Sequence, residues 1–437
     1  MSDIGKIVAN LQDEMIENRR LFHKTPETGW FTFYTTAKIA ALLDSYGYTL
    51  KMGREIVDVN SRLGVGTSQK QQEAKERAKA LLSDKEAKYL DVLEDGLTGV
   101  VATIDTKKHG KTTAFRFDID CVDVTENASS SHRPAKDGFI STIPGQMHAC
   151  GHDGHITIGL ALAKALAENL SEFNGKFMFI FQTGEEGCRG AVAMEPTGFL
   201  KGVDYLLGAH IGFQAKVSGG VICGVNKFLA TSKFDVNFTG KSAHAAGEPE
   251  AGRNALLAAA EAALAMHGIT RNSQGVTRIN VGVLRAGEGR NVIAPNGYIA
   301  CETRGETTEL NDFMRQKCFD IVEGVAKIHG VEYEITQTGG TAGGDSSPFV
   351  TELFYEAASE SPFIQDDKIV KNFDFGACED FAHFMRAVQK QGGQSGYMMI
   401  GSNLSAGHHN SCFDFDEKTL SAGLDIFLRA SYKLNGN

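Results

Sequence analysis

Residues 147–187 read MHACGHDGHITIGLALAKALAENLSEFNGKFMFIFQTGEEG, and this stretch decides the fold. Helical periodicity runs through its first half, and the run GKFMFIFQ that follows is continuously apolar. A helix that leads into a buried strand is the repeating unit of a parallel α/β sheet. The paired carboxylates Glu185 and Glu186 follow the strand closely, at the sheet edge where open parallel sheets place their functional sites.

Two apolar strands precede this helix, one around residues 99–103 and a second, TTAFRFDID, at residues 112–120. Alternation of strands and helices is typical of a sheet with mostly parallel strands. We therefore predict a larger domain of the α/β class, in which a mostly parallel sheet is flanked by helices.

The pattern changes between residues 229 and 340. Strand, helix, two strands, helix and strand follow one another there, which is the βαββαβ order of a ferredoxin-like α+β domain. At 437 residues the chain also exceeds what one hydrophobic core usually organises. We predict a discontinuous larger domain, residues 1–228 and 341–437, with residues 229–340 inserted as a lid or dimerisation domain.

A lysine- and glutamate-rich segment at about residues 54–96 carries apolar residues at helical spacing. We predict a helical insertion on the surface of the larger domain. A solvated charged face without a function is favoured over a surface that docks a partner.

The composition is that of a soluble enzyme, with 42% hydrophobic and 22% charged residues. No apolar run is long enough to span a membrane, and the N-terminus is typical of an amphipathic helix rather than a secretion signal, so a cytoplasmic protein is expected. A net charge of -10 argues against nucleic acid or an anionic membrane surface as the main partner.

Eight cysteines are spread along the chain, and several, such as Cys223 and Cys301, fall in apolar strand-like runs. This distribution indicates reduced thiols rather than a disulfide framework. Only Cys150, between two histidines, has the setting of a metal ligand.

Four separate segments of the sequence supply thiol, imidazole and carboxylate groups, which are the donors of a catalytic divalent metal site. A single histidine on an apolar face is more often a packed core residue, so the combination carries the prediction. The predicted metal ligands are Cys150, His152, Glu186, His210 and His409.

Within the carboxylate pair, Glu186 is predicted to be a ligand and Glu185 the base that removes a proton from water. The alternative is a pair that caps the N-terminus of the following helix. Asp118 or Asp120 is expected to accept the free N–H of a ligating histidine, or to be a solvated strand end. His148 and His155 are left out of the ligand set as structural groups.

Small-residue loops of the inserted domain supply further polar groups: His244 in GKSAHAAG, Arg290 and Asn291 in GEGRNVIAP, and Arg304 in CETRG. An imidazole, an amide and guanidinium groups suit a substrate carboxylate and a tetrahedral oxyanion. Each of these residues taken singly is more often a surface or turn residue.

These motifs resemble those of the metallo-aminoacylase and carboxypeptidase family, which contains hippurate hydrolases and plant auxin-conjugate amidohydrolases. The resemblance covers nearly the whole chain and is carried by RRLFHKTPETGW, RFDID, MHACGHDGH, FQTGEEG, FTGKSAHAAGEPEAGRNAL, GEGRNVIAP, GACEDFAHF and GHHNSCFDFDE. Carried over residue by residue, it implies the same five ligands and the same base, Glu185. It further implies that His244 reaches the active site of a partner chain, and that Asn291 and Arg304 contact the substrate carboxylate.

The resemblance implies two divalent metal ions, manganese or zinc, and a homodimer or a heteromer with a homologous subunit. The sequence departs from the family pattern at Thr183 and Gly184, where proline and alanine are usual, and at Asn410 and Ser411, where serine and proline are usual. These are loop positions, so the departures concern substrate fit more than metal binding. The charged insertion favours the branch that cleaves p-aminobenzoyl-glutamate.

The predicted function is hydrolysis of the amide bond of an N-acyl or N-aroyl amino acid, with p-aminobenzoyl-glutamate as the first candidate substrate. One alternative is an N-acetyl amino acid deacetylase or dipeptidase. A second is a metal-binding partner subunit that is inactive alone, although a subunit without activity has no need of Glu185.

Overall fold

The computed structural model describes residues 3–437, in which helices and strands alternate along most of the chain. Its α-helices are α1 Ile4–Lys24, α2 Phe33–Ser45, α3 Ser68–Leu81, α4 Asp84–Ala87, α5 Arg133–Lys136, α6 His152–Glu168, α7 Ala191–Met194, α8 Ala255–His267, α9 Thr308–His329, α10 Pro348–Ser359, α11 Phe381–Lys390 and α12 Lys418–Asn435. Its strands are β1 Thr49–Lys51, β2 Val100–Asp105, β3 Thr112–Asp118, β4 Lys176–Gln182, β5 Tyr205–Ile211, β6 Val221–Asn226, β7 Ala230–Thr239, β8 Thr277–Ala286, β9 Asn296–Gly305, β10 Glu332–Thr341, β11 Ile369–Asp374 and β12 Gln394–Ile400.

The chain divides into two compact units. The larger comprises residues 1–226, 345–375 and 380–437, and the smaller comprises residues 227–344 and 376–379. Among the described residues, no helix is both long enough and apolar enough to cross a membrane.

The larger unit is built on an eight-stranded sheet in the order β1-β2-β4-β3-β5-β12-β6-β11. Neighbouring strands from β4 to β12 are parallel, as are β6 and β11, whereas β1, β2 and the β12-β6 pair are antiparallel. The expected mostly parallel sheet is confirmed. Phenylalanines of β3 and β4 fill the space beneath α12, with the rings of Phe115 and Phe427 5.8 Å apart in an edge-to-face arrangement.

The smaller unit is a four-stranded antiparallel sheet in the order β10-β7-β9-β8, and α8 and α9 pack against it. Its order of elements, β7-α8-β8-β9-α9-β10, is the predicted βαββαβ. Phe234, Ile299 and Met314 are fully or almost fully buried in its separate core.

In the charged segment after residue 53, helices α3 and α4 are joined to loops and short 3-10 turns. Its main helix, α3, buries only Gln71, Ala74 and Ala78 and begins with the hydroxyl of Thr67 accepting the N–H of Lys70. Short polar turns of the segment run on to residue 96, directly before β2.

Candidate metal centre

The carboxyl ends of four parallel neighbours, β4, β3, β5 and β12, meet at one edge of the large sheet. Asp118 ends β3, Glu185 lies three residues after β4, and His210 is the penultimate residue of β5. The segment that carries His409 follows β12. Topology therefore concentrates residues that lie far apart in sequence at the edge where sheets of this kind place ligands.

The first turn of α6 brings His152 to this edge. Gly151, the N-cap, has a φ of +88°, a left-handed conformation that favours glycine. A Cβ on Gly154 would lie 2.6 Å from Cδ1 of Ile211 and 2.7 Å from the ring of Phe415, so only glycine allows this approach of the helix to β5. The two glycines of CGHDGH thus have separate backbone roles.

The structure brings all five predicted ligands together in two overlapping groups. Cys150, His152 and His210 form one, and Cys150, Glu186 and His409 form the other, with the donor atoms of each group within 4.8 Å of one another. Sγ of Cys150 lies 3.5 Å from Nε2 of His210. Nε2 of His409 lies 3.2 Å from Oε1 of Glu186. The thiol is therefore common to both groups.

His152 carries the clearest sign that the residues fit a metal ion. Its Nδ1 donates to the backbone carbonyl of Asp120 at 2.7 Å, which leaves Nε2 as the lone-pair nitrogen. That Nε2 is buried and has no hydrogen-bond partner among residues 3–437, although carboxylate oxygens of Asp118 and Glu185 lie 3.7 and 3.9 Å away. A cation bound between this buried nitrogen and the carboxylates would give the nitrogen the partner that it lacks.

Burial sets the protonation of the other donors. It lowers the pKa of His210 well below the ordinary value, so the imidazole is neutral and its nitrogen is available as a ligand. Burial, together with the nearby charges of Glu186 and Glu185, raises the pKa of the Cys150 thiol well above its usual range. A bound cation would reverse this shift because a coordinating thiol is deprotonated.

The backbone of the TGEEG loop is held by Asp120. Its two side-chain oxygens accept the backbone N–H groups of Glu185 and Glu186 at 3.0 and 3.1 Å. Burial and the charge of Glu186 raise the pKa of Asp120 well above its ordinary value. The helix that follows, α7, has Gly190 as its N-cap, so the alternative interpretation of the pair as helix caps is wrong.

The expectation that a side-chain oxygen of Asp118 or Asp120 accepts an N–H from a ligating histidine is also corrected. His152 donates instead to the Asp120 backbone. Asp118 accepts from Arg116 at 2.6 Å and lies 2.5 Å from Nδ1 of His155. The reason is that β3 ends at Asp118, so the chain turns and presents a carbonyl rather than a carboxylate to His152.

His155 and His148 are left out of the predicted ligand set. His155 packs between two predicted ligands, its ring 5.3 Å from that of His152 and 4.6 Å from that of His210. The three-residue spacing from His152 on one helix face was the signal available for it. His148 is buried, and neither of its ring nitrogens has a hydrogen-bond partner among the described residues.

Of the adjacent histidines 408 and 409, only the second belongs to a donor group. Nε2 of His408 lies 3.1 Å from the carbonyl oxygen of Ile211, and its ring stacks on Phe213 at 4.1 Å. His409 has a φ of +61°, a strained backbone conformation for a non-glycine residue.

The predicted substrate-binding residues of the smaller unit lie in two loops and a strand. His244 pairs with Val292 in a β-bridge, and the N–H of Ala245 donates to the carbonyl of Asn291 at 3.0 Å, so the loops of His244 and Asn291 are adjacent. His244, Arg290 and Asn291 are exposed. Arg304, on β9, pairs with Glu302.

The chain is similar to known proteins over most of its length. Residues 114–433 match the model of peptidase family M20/M25/M40. The chain is 41% identical over 424 residues to indole-3-acetyl-aspartic acid hydrolase of Enterobacter agglomerans, covering 97% of this chain and 96% of the relative. It is 40% identical over 432 residues to one of the subunits of p-aminobenzoyl-glutamate hydrolase from Escherichia coli (strain K12), covering 99% and 98%.

A solved structure is similar over the same length. The aminobenzoyl-glutamate utilization protein from Klebsiella pneumoniae superposes with a TM-score of 0.84 at 35% sequence identity, covering 99% of this chain and 98% of the other. Full-length similarity in sequence and fold, together with the clustered thiol, imidazole and carboxylate groups, leaves one conclusion: this chain belongs to peptidase family M20/M25/M40 and is a metal-dependent hydrolase of amide bonds.

Proposed function

We propose that this enzyme cleaves the amide bond between an aromatic acyl group and an acidic amino acid, with p-aminobenzoyl-glutamate as the first candidate substrate. Two relatives with 40% or more identity over nearly the whole chain are named for p-aminobenzoyl-glutamate and indole-3-acetyl-aspartic acid. Both compounds join an aromatic acyl group to a dicarboxylic amino acid. The observation that carries the hydrolytic part of the proposal is the position of Glu185, whose carboxylate lies 3.9 Å from the unbonded nitrogen of His152.

Cys150, His152, Glu186, His210 and His409 are proposed to hold two divalent metal ions, manganese or zinc. The two donor groups that share Cys150 support two ions rather than one. Thiolate and imidazole favour zinc and carboxylate favours manganese, so the mixed donor set suits either. Such ions polarise a carbonyl group and make water more acidic.

Glu185 is proposed as the general base and acid. Its side chain is 12% exposed, close enough to solvent to receive a water molecule and buried enough to exclude most others. The hydrogen bond from its N–H to Asp120 fixes the backbone from which the carboxylate extends. Glu185 takes a proton from the attacking water and gives it to the leaving amine.

The smaller unit is proposed to recognise the acidic amino acid. Arg304 on β9 lies directly opposite Arg278 on β8, so two guanidinium groups project from adjacent strands on one face. Glu302 pairs with Arg304 in this structure, and a substrate carboxylate would bind to the same face of the sheet beside that pair. Arg304 and Asn291 would bind substrate carboxylate, and the imidazole of His244 would stabilise the oxyanion.

A dimer is proposed to complete the site, as a homodimer or as a heteromer with a homologous subunit. Strand β8 lies at an edge of the small sheet, which leaves backbone groups available for pairing with a second chain. Beside it, α8 exposes Leu257 and Leu264, with the latter 77% exposed. An apolar helix face next to a free strand edge suits a dimer interface.

Amine release by the purified protein, reloaded with manganese or zinc, tests the proposal. We expect turnover of p-aminobenzoyl-glutamate to exceed that of hippurate and of an N-acetyl amino acid, and to disappear with a chelator. Indole-3-acetyl-aspartate is the second candidate because its hydrolase is 41% identical to this chain. Greater turnover of the N-acetyl amino acid would contradict the proposed acyl group.

The Glu185→Gln variant separates the chemistry from metal binding. We expect it to retain both metal ions and to lose activity about 10²–10⁴-fold, the usual contribution of a positioned general base. Full activity with bound metal would exclude Glu185 as the base. Inactivity of the wild-type chain on all substrates despite bound metal would favour a subunit that is inactive alone.

A further inference from the structure

Apart from the candidate metal centre, a cavity of about 580 Å³ opens beside the first turn of α12. Its wall includes Lys418 and Ser421 from that helix, Lys368 from the turn before β11, and Val217 from the loop after β5. Neither Glu185 nor any of the five predicted metal ligands lines it. The cavity lies wholly within the larger unit.

The hydroxyl of Ser421 is the observation that suggests a bound ligand in this cavity. The residue is 2% exposed, and its Oγ has no hydrogen-bond partner among the residues that the structure describes. A serine within a helix commonly bonds to the carbonyl four residues earlier, and this one does not. A buried hydroxyl without a partner costs free energy, so a group that bonds to it from the cavity would be stabilised.

The charges around the cavity favour an anion. Neither Lys368 nor Lys418 forms an ion pair with any residue between 3 and 437. Asp416 is the one acid of the wall, and its two oxygens already accept from the Ser218 hydroxyl at 2.8 Å and from the Lys418 N–H at 3.1 Å. Among the described residues, two lysines without an ion pair and a hydroxyl without a partner thus line the same cavity as a carboxylate whose oxygens already accept hydrogen bonds.

The rest of the wall is mixed, with Gln12, Gln365 and Asn403 as polar members beside an apolar part. Val217, Phe363 and Ala422 contribute hydrocarbon surface to the same cavity. A phosphate ion would leave that surface without a partner, whereas an aryl group would cover it. We propose that this cavity binds a small aromatic carboxylate, whose anionic group contacts Ser421, Lys368 and Lys418 and whose ring packs against Phe363.

Ligand binding in the cavity would affect the candidate metal centre through the hydrogen bonds of Ser218. Its N–H donates to Oδ1 of Asn403 at 3.3 Å, and its Oγ accepts from the N–H of Asn403 at 3.1 Å and donates to Asp416. Asn403 and Asp416 are the two ends of the segment that carries His409, so Ser218 closes the base of that loop. A ligand against this base changes turnover without occupying the substrate site.

Benzoate is the probe, and benzamide, which has the same shape without the charge, is its control. Calorimetric titration of the metal-loaded protein is expected to show benzoate binding at least about tenfold more tightly than benzamide, because two ammonium groups face the ligand. Ser421→Ala and the double variant Lys368→Gln/Lys418→Gln are expected to weaken benzoate binding by about tenfold. The matched double variant Lys201→Gln/Lys390→Gln removes two exposed lysines elsewhere and is expected to bind as the wild type does.

Inhibition kinetics distinguish this site from the metal centre. Benzoate bound where substrate binds raises KM alone, and the cavity variants leave that effect unchanged. Benzoate bound in the cavity lowers kcat, and this part of the inhibition is expected to vanish in both cavity variants. The proposal is overturned if the cavity variants bind benzoate as the matched control does, if benzamide binds equally well, or if inhibition is purely competitive. Ser421→Ala removes only a buried, unbonded hydroxyl, so it keeps the test valid even if the double variant fails to fold.

Discussion

His155 is bonded to Asp118 across the floor of the candidate metal centre. Nδ1 of His155 lies 2.5 Å from Oδ1 of Asp118, and its Nε2 accepts the backbone N–H of Ile211 at 2.9 Å. Because Nε2 accepts, Nδ1 carries the proton that is donated to Asp118. The bond joins the end of β3, the first turn of α6 and the end of β5, and so fixes the spacing between His152 and His210.

The first prediction concerns this bond. His155→Phe keeps a ring in the space but removes both hydrogen bonds, so the rings of His152 and His210 lose their fixed orientation. We expect metal affinity to fall about 10–100-fold, the usual cost of losing a residue that orients metal ligands. Competition with a chelator measures the affinity. His132→Phe is the control, since His132 is also buried and bonded to a carboxylate, that of Glu126; an equal loss of metal affinity in both variants would contradict the positioning role of His155.

The second prediction uses the two donor groups that share Cys150. Cys150→Ala removes a donor from both groups, whereas His210→Ala and His409→Ala each remove one donor from a single group. We therefore expect the cysteine variant to lose both ions and each histidine variant to lose mainly one. Metal content measured after dialysis decides this. Retention of one full equivalent of metal by Cys150→Ala would show that the thiol does not bridge the two groups.

The sequence could predict which donor residues cluster because each lies in a short motif next to a regular element. His152 begins the helix whose periodicity is visible in GHITIGLALAKALAENL, and Glu186 follows the apolar run of β4. The order of strands and helices in the small unit was predictable for the same reason, since they follow one another along the chain without a long insertion.

The rest depends on contacts between distant segments. β12 pairs with β5 although about 190 residues separate them, and no local pattern indicates which strand inserts between β5 and β6. The partner of Asp118 depends on how closely α6 approaches β5, which the side chain of Ile211 against Gly154 decides. A sequence supplies candidate donors and acceptors, but only packing assigns them to each other.

The third prediction concerns a buried ionic network behind the centre. Arg19 is fully buried and pairs with Asp153 at 2.8 Å, Asp414 at 2.7 Å and Glu417 at 3.3 Å. Arg19→Met fills much of the space but removes the guanidinium group that is bonded to Asp153, whereas Asp414 and Glu417 keep their bonds to Arg133. We expect a loss of about 3–5 kcal/mol in unfolding free energy at pH 7, the usual cost of removing one partner of a buried pair. Arg20→Met, at a guanidinium that is 35% exposed, is expected to cost about 1 kcal/mol or less.

The same network has a predicted pH dependence. Burial raises the pKa of Asp414 and of Glu417, but hydrogen bonds from Arg133 and Arg20 and the charge of Arg19 outweigh it and hold both below their ordinary values. A carboxyl group with a lowered pKa contributes stability above its unfolded-state value and loses it as the pH falls through the folded-state value. The difference in denaturation midpoint between wild type and Arg19→Met, followed from about pH 7 to about pH 2.5, should therefore be largest near pH 7 and shrink only as the pH falls below about 4. A constant difference across this range would mean that lost packing, not charge, causes the effect.

The last prediction concerns Arg189, which ties the TGEEG loop to the charged insertion. Its Nε donates to the carbonyl of Glu186 at 3.0 Å, and a second guanidinium nitrogen donates to the carbonyl of Gly64 at 3.2 Å. A Cβ on Gly187, whose φ is +90°, would lie 2.8 Å from that Nε, so the loop closes tightly around the side chain.

Arg189→Ala is expected to lower kcat/KM about tenfold, or about 1.4 kcal/mol, because a hydrogen bond from a charged donor that shapes the carboxylate loop is lost. The decrease should lie mainly in kcat, and Arg189→Lys should restore part of it. Arg54→Ala is the control, since it removes a cation of the same insertion whose partner, Glu94, is 3.8 Å away and equally exposed. If both variants retain wild-type kcat, the insertion has no influence on the loop, and its charged face is solvated surface, as its composition first indicated.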